Sequence, residues 1–478
     1  MAGRILDRFR ASGAARWWPW AFILAWFFWF AAGGLRAGFT PDDLMNLTIH
    51  RMVSPGRLAL ANLTWWSTVY RPMGGVFYVA MYRLFGLSPL PFRAACFALL
   101  VGNVALVYRV CLQLTGSRET ALLAALVDSY HAWFVTLYYS TGAIYELLCF
   151  GFYLAAFQYY LGVRQAGARL QPRQWVVLAA LYIAALDSKE LAVTLPLALG
   201  CYELIWHPPE RGCRGLGRWL GREALGMWLT ALVTVPYVIG KLTGPGNLLT
   251  NPAYRPEISA LRYLRTFRLY LDLVFYQDHF FRNGPAILLL AAMLAPAVWR
   301  RSRPMLFAWC FVLFSVLPFI FLPHYSGAFM YLPMFGWALY AASALEMLRY
   351  GAGNRIPAPV LFLAVALALG PLHARASKKT LEQFASVQLP IRETIAELHR
   401  VEPTAPRGAH LFFVDDPFPA RTYWLLFLVQ ELYDDLTIDV QRAKDGASPT
   451  DRRYDAVLRW ADGRLVREAP GGEPDAGK

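Results

Sequence analysis

Apolar residues in this chain come mostly in unbroken runs, without the two-residue or 3.6-residue alternation of half-buried elements. Residues 17–35, WWPWAFILAWFFWFAAGGL, carry no charge and follow Arg4, Arg8, Arg10 and Arg16. A helix of that length crosses the roughly 30 Å hydrocarbon core of a bilayer. A secretory signal has the same polarity but a shorter apolar centre, so the run reads as an uncleaved first span with a cytoplasmic N-terminus. Further runs lie at about 90–112, 119–139, 147–163, 174–188, 190–206, 224–240, 284–299, 304–323, 325–345 and 356–373, which makes about eleven spans.

The stretch 72–86, PMGGVFYVAMYRLFG, is apolar but short, and Arg71 and Arg93 bound it. Parity decides its role. If it does not cross, six segments share the N-terminal side, and together they hold 18 arginines against Asp7, Glu119, Glu210 and Glu223. That is a strong positive-inside bias, and it is lost if 72–86 crosses. The stretch is therefore expected to lie along the outer interface. The same argument makes 174–206 a hairpin, because basic loops flank both its ends.

After residue 373 the pattern changes. An amphipathic helix is predicted near 378–400, a strand at 408–416 (GAHLFFVDD), a helix near 420–433, and short strands around 436–440 and 455–459. The expected organisation is a multi-span domain over 1–373, a small soluble α/β domain over 374–465, and a disordered tail over 466–478. No repeat of 20 to 50 residues is evident.

Composition agrees with the runs: 57% of residues are apolar, 16% charged, and the mean hydropathy is +0.35. A soluble protein carries about 25% charged residues. The net charge of +14 is unevenly placed, since residues 374–478 hold 15 basic and 17 acidic side chains. The excess of positive charge belongs to the membrane part, where it reads as topology and head-group contact, and nucleic acid is not an expected partner. The six cysteines show no CxxC or Cys/His spacing, so neither a disulfide framework nor a zinc site is indicated.

Chemistry is sought where acids and bases gather on the outer side. Asp42 and Asp43, in GFTPDDLMNL, follow the first span. Adjacent carboxylates repel, which raises a pKa and suits a general base or a cation site; the plainer reading is a helix N-cap around Pro41. Glu146 opens the fourth span. Arg71 and Lys189, in YRP and DSKEL, are the outer cations closest to the bilayer, and a phosphate would need such groups, although each by itself also reads as an interfacial anchor. Tyr331, in FMYLP, reads by itself as interfacial packing. Asp128 and His131 stand one helical turn apart inside the third span and are expected to form a hydrogen-bonded pair, with a cavity or proton path as the alternative. Arg265 and Arg268, in the long outer loop, could share a helix face toward anionic head groups or toward solvent.

The order of these pieces resembles the GT-C fold integral-membrane glycosyltransferases: an outer PDD after span one, YRP leading into an apolar helix that closes in LFG, an acid at the start of span four, SKE followed by a TLPL helix, and a late YLP. The protein O-mannosyltransferases and the bacterial transferases that put aminoarabinose on lipid A are the nearest in pattern, over residues 17 to about 345. The resemblance implies a bundle of about 11 transmembrane helices with outer interfacial helices, a polyprenyl-phosphate-linked sugar as donor, inversion at the anomeric carbon, and Asp42 as base. It puts Glu146 at a second outer acid, Arg71 and Lys189 near the lipid phosphate, and Tyr331 at a phosphate-contacting tyrosine. Some relatives carry an arginine shortly before that tyrosine; Ala328 stands in that neighbourhood here, leaving His324 or Lys241 to substitute. The chain lacks the TPR repeats of the eukaryotic subgroup.

The expected function is accordingly transfer of a sugar from a polyprenyl-phosphate donor to an acceptor hydroxyl on a lipid, glycan or protein, outside the bacterial inner membrane, with the C-terminal domain periplasmic. A lipid phosphate leaves readily, so the site needs a carboxylate to take the acceptor proton and cations to hold the departing charge. Asp43 and Glu146 would support acceptor or cation. No cofactor is required by the residue types; a divalent metal ion on Asp42, Asp43 and Glu146 would be compatible with them. The competing expectations are a transporter or flippase built on Asp128 and His131, and a non-catalytic scaffold presenting residues 374–478.

Overall fold

The computed structural model describes residues 14–64, 69–243, 255–323, 327–351 and 353–468. Its helices, in chain order, are α1 (Ala14–Ala31), α2 (Pro41–Arg51), α3 (Pro72–Phe85), α4 (Pro89–Thr115), α5 (Arg118–Ser129), α6 (Ile144–Gln165), α7 (Pro172–Ser188), α8 (Leu195–Trp206), α9 (Cys213–Arg222), α10 (Leu225–Thr243), α11 (Ala260–Val274), α12 (Asn283–Trp299), α13 (Arg303–Phe314), α14 (Tyr331–Gly351), α15 (Ala358–Val401) and α16 (Trp424–Leu432). Short helices at Pro55–Ala61, Val135–Tyr139 and Leu317–Ile320 complete the set.

The chain is a mostly helical, polytopic membrane protein. Among the described residues, seven helices are long and apolar enough to cross a bilayer, and an eighth if the bent pair Arg118–Ser129 and Ala132–Tyr139 is one span. The expected segments are helical over most of their described residues, although 119–139 breaks at Tyr130 and His131, and three of the helices are short. α7 and α12 have 17 residues each and α8 has 12. At 1.5 Å per residue a 17-residue helix covers about 26 Å, a little less than the hydrocarbon core.

Ion pairs and hydrogen bonds sort the loops onto two faces. Arg164, at the end of α6, binds Glu203 of α8 and Glu223 before α10, while Gln165 donates to the Gln113 carbonyl at the end of α4. Trp18, Arg118, Glu346 and Ala358 line one cavity, which brings the starts of α1, α5 and α15 together with the end of α14. The loops that follow α4, α6, α8 and α14 thus share a face. On the opposite face Arg71 binds Glu190, and Lys189 binds Glu146 at the start of α6. So 172–206 does fold as a hairpin: its turn meets one end of α6, and Glu203 meets the other. α3 does not cross, because Arg71 at its start and Tyr82 near its end, which donates to Asp434 at 3.0 Å, both stay on the second face.

The C-terminal domain carries a four-stranded sheet of β1 (His410–Asp415), β2 (Asp439–Arg442), β3 (Ala456–Ala461) and β4 (Arg464–Glu468), in the order β2-β1-β3-β4. β1 is parallel to β2 and β3, and β4 closes an antiparallel hairpin on β3. Two features differ from expectation. α15 is one 44-residue helix that runs from the membrane into this domain, with Pro371 and Pro390 inside it and no stop at 373. The charged RLVRE at 464–468 forms a strand because it pairs with β3 at the sheet edge, where alternate side chains face solvent. Residues 469–478 lie outside the described residues.

Candidate functional site

The aspartate pair divides its work. Thr40, Pro41 and Asp43 start α2 with a capping box: Asp43 N–H donates to Thr40 Oγ1 at 3.2 Å, and Thr40 N–H donates to Asp43 Oδ2 at 2.8 Å. Asp43 also accepts from Ser140 Oγ and Gly142 N, both at 2.6 Å, and from Arg93 Nη2 at 3.2 Å. Its carboxylate is buried and saturated, so it ties the start of α2 to α4 and to the 140–142 turn. Asp42, one residue earlier, is exposed and has no side-chain hydrogen bond or ion pair among the described residues. Though accessible, it stands among dense protein, and that environment, then Asp43 and Glu146, raise its carboxyl above the ordinary range.

Tyr145 is the hub beneath it. The Asn46 side chain donates to the Asp42 carbonyl at 2.7 Å, and the Tyr145 hydroxyl donates to Asn46 Oδ1 at 2.9 Å. His50 Nε2 lies 2.9 Å from the same hydroxyl, and since that proton is used, Nε2 carries the imidazole hydrogen. Burial, helped by Arg71, lowers the His50 pKa to about 4, so the ring is neutral. Gly74 and Gly75 allow α3 this close: a Cβ at Gly74 would stand 2.2 Å from the Tyr145 ring, and one at Gly75 2.6 Å from His50.

Arg71 caps α3 with a left-handed φ of 41°, and its guanidinium stands over Tyr70 and Tyr145, 4.6 and 5.1 Å from the ring centres. It donates to both oxygens of Glu190, at 2.9 and 3.4 Å. Lys241 approaches the same carboxylate at 4.0 Å. Lys189 is buried against Glu146 and lies 4.0 Å from the Phe329 ring centre. Burial lowers the Lys189 pKa to about 8, against the pull of Glu146. The other Glu146 oxygen, Oε2, is buried without a partner among the described residues. Asp42, Glu146, Arg71, Lys189 and Lys241 thus belong to one network.

Tyr331 is not joined to this network. Tyr331 is 3% exposed, stacks on Phe150 at 4.1 Å, and has Asp128 and Asn103 beside it. The side chain of this first residue of α14 thus packs inside the bundle, away from the Asp42 network. His324 lies outside the described residues. Of the three carboxylates that a metal would use, Asp43 is saturated and Glu146 is paired with Lys189. No group of three His, Cys, Asp or Glu able to hold a metal occurs among the described residues.

Asp128 and His131 are also not the expected pair. α5 ends at Ser129, and Tyr130 and His131 are extended, with φ of −151° and −145°, which turns the two side chains apart. His131 Nε2 instead meets the Val274 carbonyl at 3.1 Å, while both Asp128 oxygens are buried without a partner among the described residues. Sequence reasoning passed over Glu190, Tyr145, His50 and Asn46. The charge cluster DSKE was a signal for Glu190; Asn46 and His50, one helical turn apart behind Asp42, were a weaker one.

No protein-family model matches the chain, and no curated protein matches it. Among solved structures it is similar to the archaeal oligosaccharyltransferase AglB from Archaeoglobus fulgidus, in complex with an inhibitory peptide and a dolichol-phosphate, with 12% identity and a TM-score of 0.48. The match covers 90% of this chain and 65% of that one, so the chain spans less than two thirds of that protein's length.

Proposed function

We propose that the protein is a membrane glycosyltransferase that moves a sugar from a polyprenyl-phosphate donor to an acceptor hydroxyl, with inversion. The observation that carries this reading is Asp42: an accessible carboxylate of raised proton affinity, without a side-chain partner among the described residues, in one network with three cations. A base works best when its pKa lies nearer the working pH, and an acceptor hydroxyl needs one placed on its own face. The phosphate of the donor would be met by Arg71, Lys241 and Lys189. Glu190 and Glu146 hold these cations in place and would yield part of that charge to the phosphate as the sugar leaves. Asp42 takes the acceptor proton, the acceptor oxygen attacks the anomeric carbon from the opposite side, and the phosphate departs with the bonding pair.

The site face is proposed to be extracytoplasmic, since the arginine-rich loops share the other face, and a bacterial inner membrane fits that arrangement. The test is transfer by the purified full-length protein from a polyprenyl-phosphate sugar, followed by mass spectrometry of the product. Loss of transfer in Asp42→Asn with retained donor binding supports the reading; full activity of that variant overturns it. A second reading, transport of a lipid-linked or small polar cargo, is favoured by Asp128, a buried acid without a partner among the described residues, at the break of a bent span. Flux in liposomes that is lost in Asp128→Asn, with normal folding and no transferase activity in the wild type, would decide for it.

A further inference from the structure

A cavity of about 760 Å³ lies between the end of α11 and the middle of α15, and shares no lining residue with the Asp42 network. Arg375 and Lys379, one turn apart on α15, give it positive charge, and Asp272 and Asp278 give it negative charge. Among the described residues neither cation forms an ion pair with either carboxylate; Asp272 accepts from the Phe281 N–H at 2.9 Å, and Asp278 lies 3.6 Å from His279. Two rings complete the wall. Trp133 presents a buried indole N–H with no partner among the described residues, and Tyr276 is fixed by His373 Nδ1 at 2.7 Å and by the Ala132 N–H at 2.9 Å.

The position along α15 supplies the second argument. Arg375 and Lys379 stand about 26 and 32 Å along the helix from its start at Ala358, taking 1.5 Å per residue. The hydrocarbon core is about 30 Å thick, so Lys379 stands just past its far edge and Arg375 a few ångströms short of it, within reach of the head groups for long cationic side chains. Leu269 and Leu372, exposed on the rim, suit the adjoining acyl chains. A wall with two cations and two carboxylates is neutral overall. It repels part of a purely anionic head group, and its carboxylates reward an amine that can donate hydrogen bonds over a trimethylated one.

We propose that this cavity binds the head group of a zwitterionic, primary-amine phospholipid, as phosphatidylethanolamine presents it. Arg375, Lys379 and the Trp133 indole hold the phosphate, and Asp272, Asp278 and the rings face the ammonium. The full-length protein is purified with equal amounts of phosphatidylethanolamine, phosphatidylglycerol and phosphatidylcholine, and retained lipid is counted by native mass spectrometry. Phosphatidylethanolamine should be retained over the other two, and R375Q/K379Q should lower its retention by about ten-fold or more, as expected for lost charge-assisted bonds. Asp278→Asn, a change at an exposed side chain that leaves folding intact, should narrow the preference over phosphatidylcholine. Equal retention of the three lipids, preference for phosphatidylglycerol, or retention unchanged in both variants would overturn the proposal. Displacement of the lipid by an equal concentration of soluble phosphoethanolamine would overturn its lipid part.

Discussion

The two ends of α6 carry polar clusters of similar make-up and opposite character. At its C-terminal end Glu203 accepts from Tyr160 and Arg164 Nε at 2.7 Å on one oxygen, and from Arg164 Nη2 at 3.0 Å on the other, with His207 Nδ1 at 2.7 Å from that second oxygen. At its N-terminal end Glu146 uses one oxygen on Lys189, and its other oxygen and the hydroxyl of nearby Tyr237 are buried without a partner among the described residues. Buried polar groups are almost always paired, so unused capacity needs a reason. The first cluster is complete without a ligand and fastens α6 to α8 and the start of α10. The second retains places for further hydrogen bonds, and the accessible Asp42 lies in its network. Satisfaction, more than residue type, separates the fastening cluster from the one with places left to fill.

The sharpest way to break this contrast is to remove each carboxylate in turn. Asp42→Asn should lower transfer by roughly 10²- to 10⁴-fold, the usual worth of a general base, with the unfolding temperature unchanged. Glu203→Ala should do the reverse. It leaves Arg164 with Glu223 as its remaining carboxylate, and breaking a buried pair costs roughly 3–5 kcal/mol. Thermal unfolding in detergent reads that loss, and whatever protein folds should still transfer sugar. A stable Glu203→Ala protein, or an unfolded Asp42→Asn protein, would dissolve the distinction.

How far the sequence reached follows the same line. The spans were legible because crossing a bilayer demands apolar runs, and parity of the arginine loops was enough to keep α3 off the list of spans. TPDD was legible as a helix start. What could not be read was which aspartate caps and which stays open, since Ser140, Gly142 and Arg93 decide that from 50 to 99 residues away. Asp128 and His131 misled because the i, i+3 argument assumes a continuous helix, and the helix breaks between them. The packing of Tyr331 on Phe150 was not legible because a motif gives a residue's place along a helix and not the side it faces.

Smaller effects refine the N-terminal cluster. Arg71→Met or Lys189→Met, which keep the apolar stem and delete the charge, should weaken donor binding by about ten-fold, measured by titration with a polyprenyl-phosphate sugar. Lys189 is charged below its pKa of about 8, so wild-type affinity should fall as pH rises through 8, and Lys189→Met should abolish that fall. The smallest shift is expected from Glu146→Gln. Removing a neighbouring negative charge favours the ionised form of Asp42, its pKa falls, and the acid limb of the pH–rate profile should move to lower pH by less than about one unit.

α15 also sets a rotational phase. Glu431, in the last turn of α16, is fully buried between Thr48 at 2.8 Å and Arg51 at 2.6 Å, so the C-terminal domain grips the far end of the helix whose first turn carries Asp42. Gln388 of α15 itself donates to the Tyr139 carbonyl at 2.8 Å. A helix that is continuous from the membrane to this domain transmits angle as well as height. One residue inserted between 378 and 387 would turn everything beyond it by about 100° and carry Glu431 away from Arg51, whereas four would nearly restore the bearing while moving it about 6 Å along the axis. The chain's grip on its own first polar helix thus depends on counting residues in a segment that touches neither Glu431 nor Arg51.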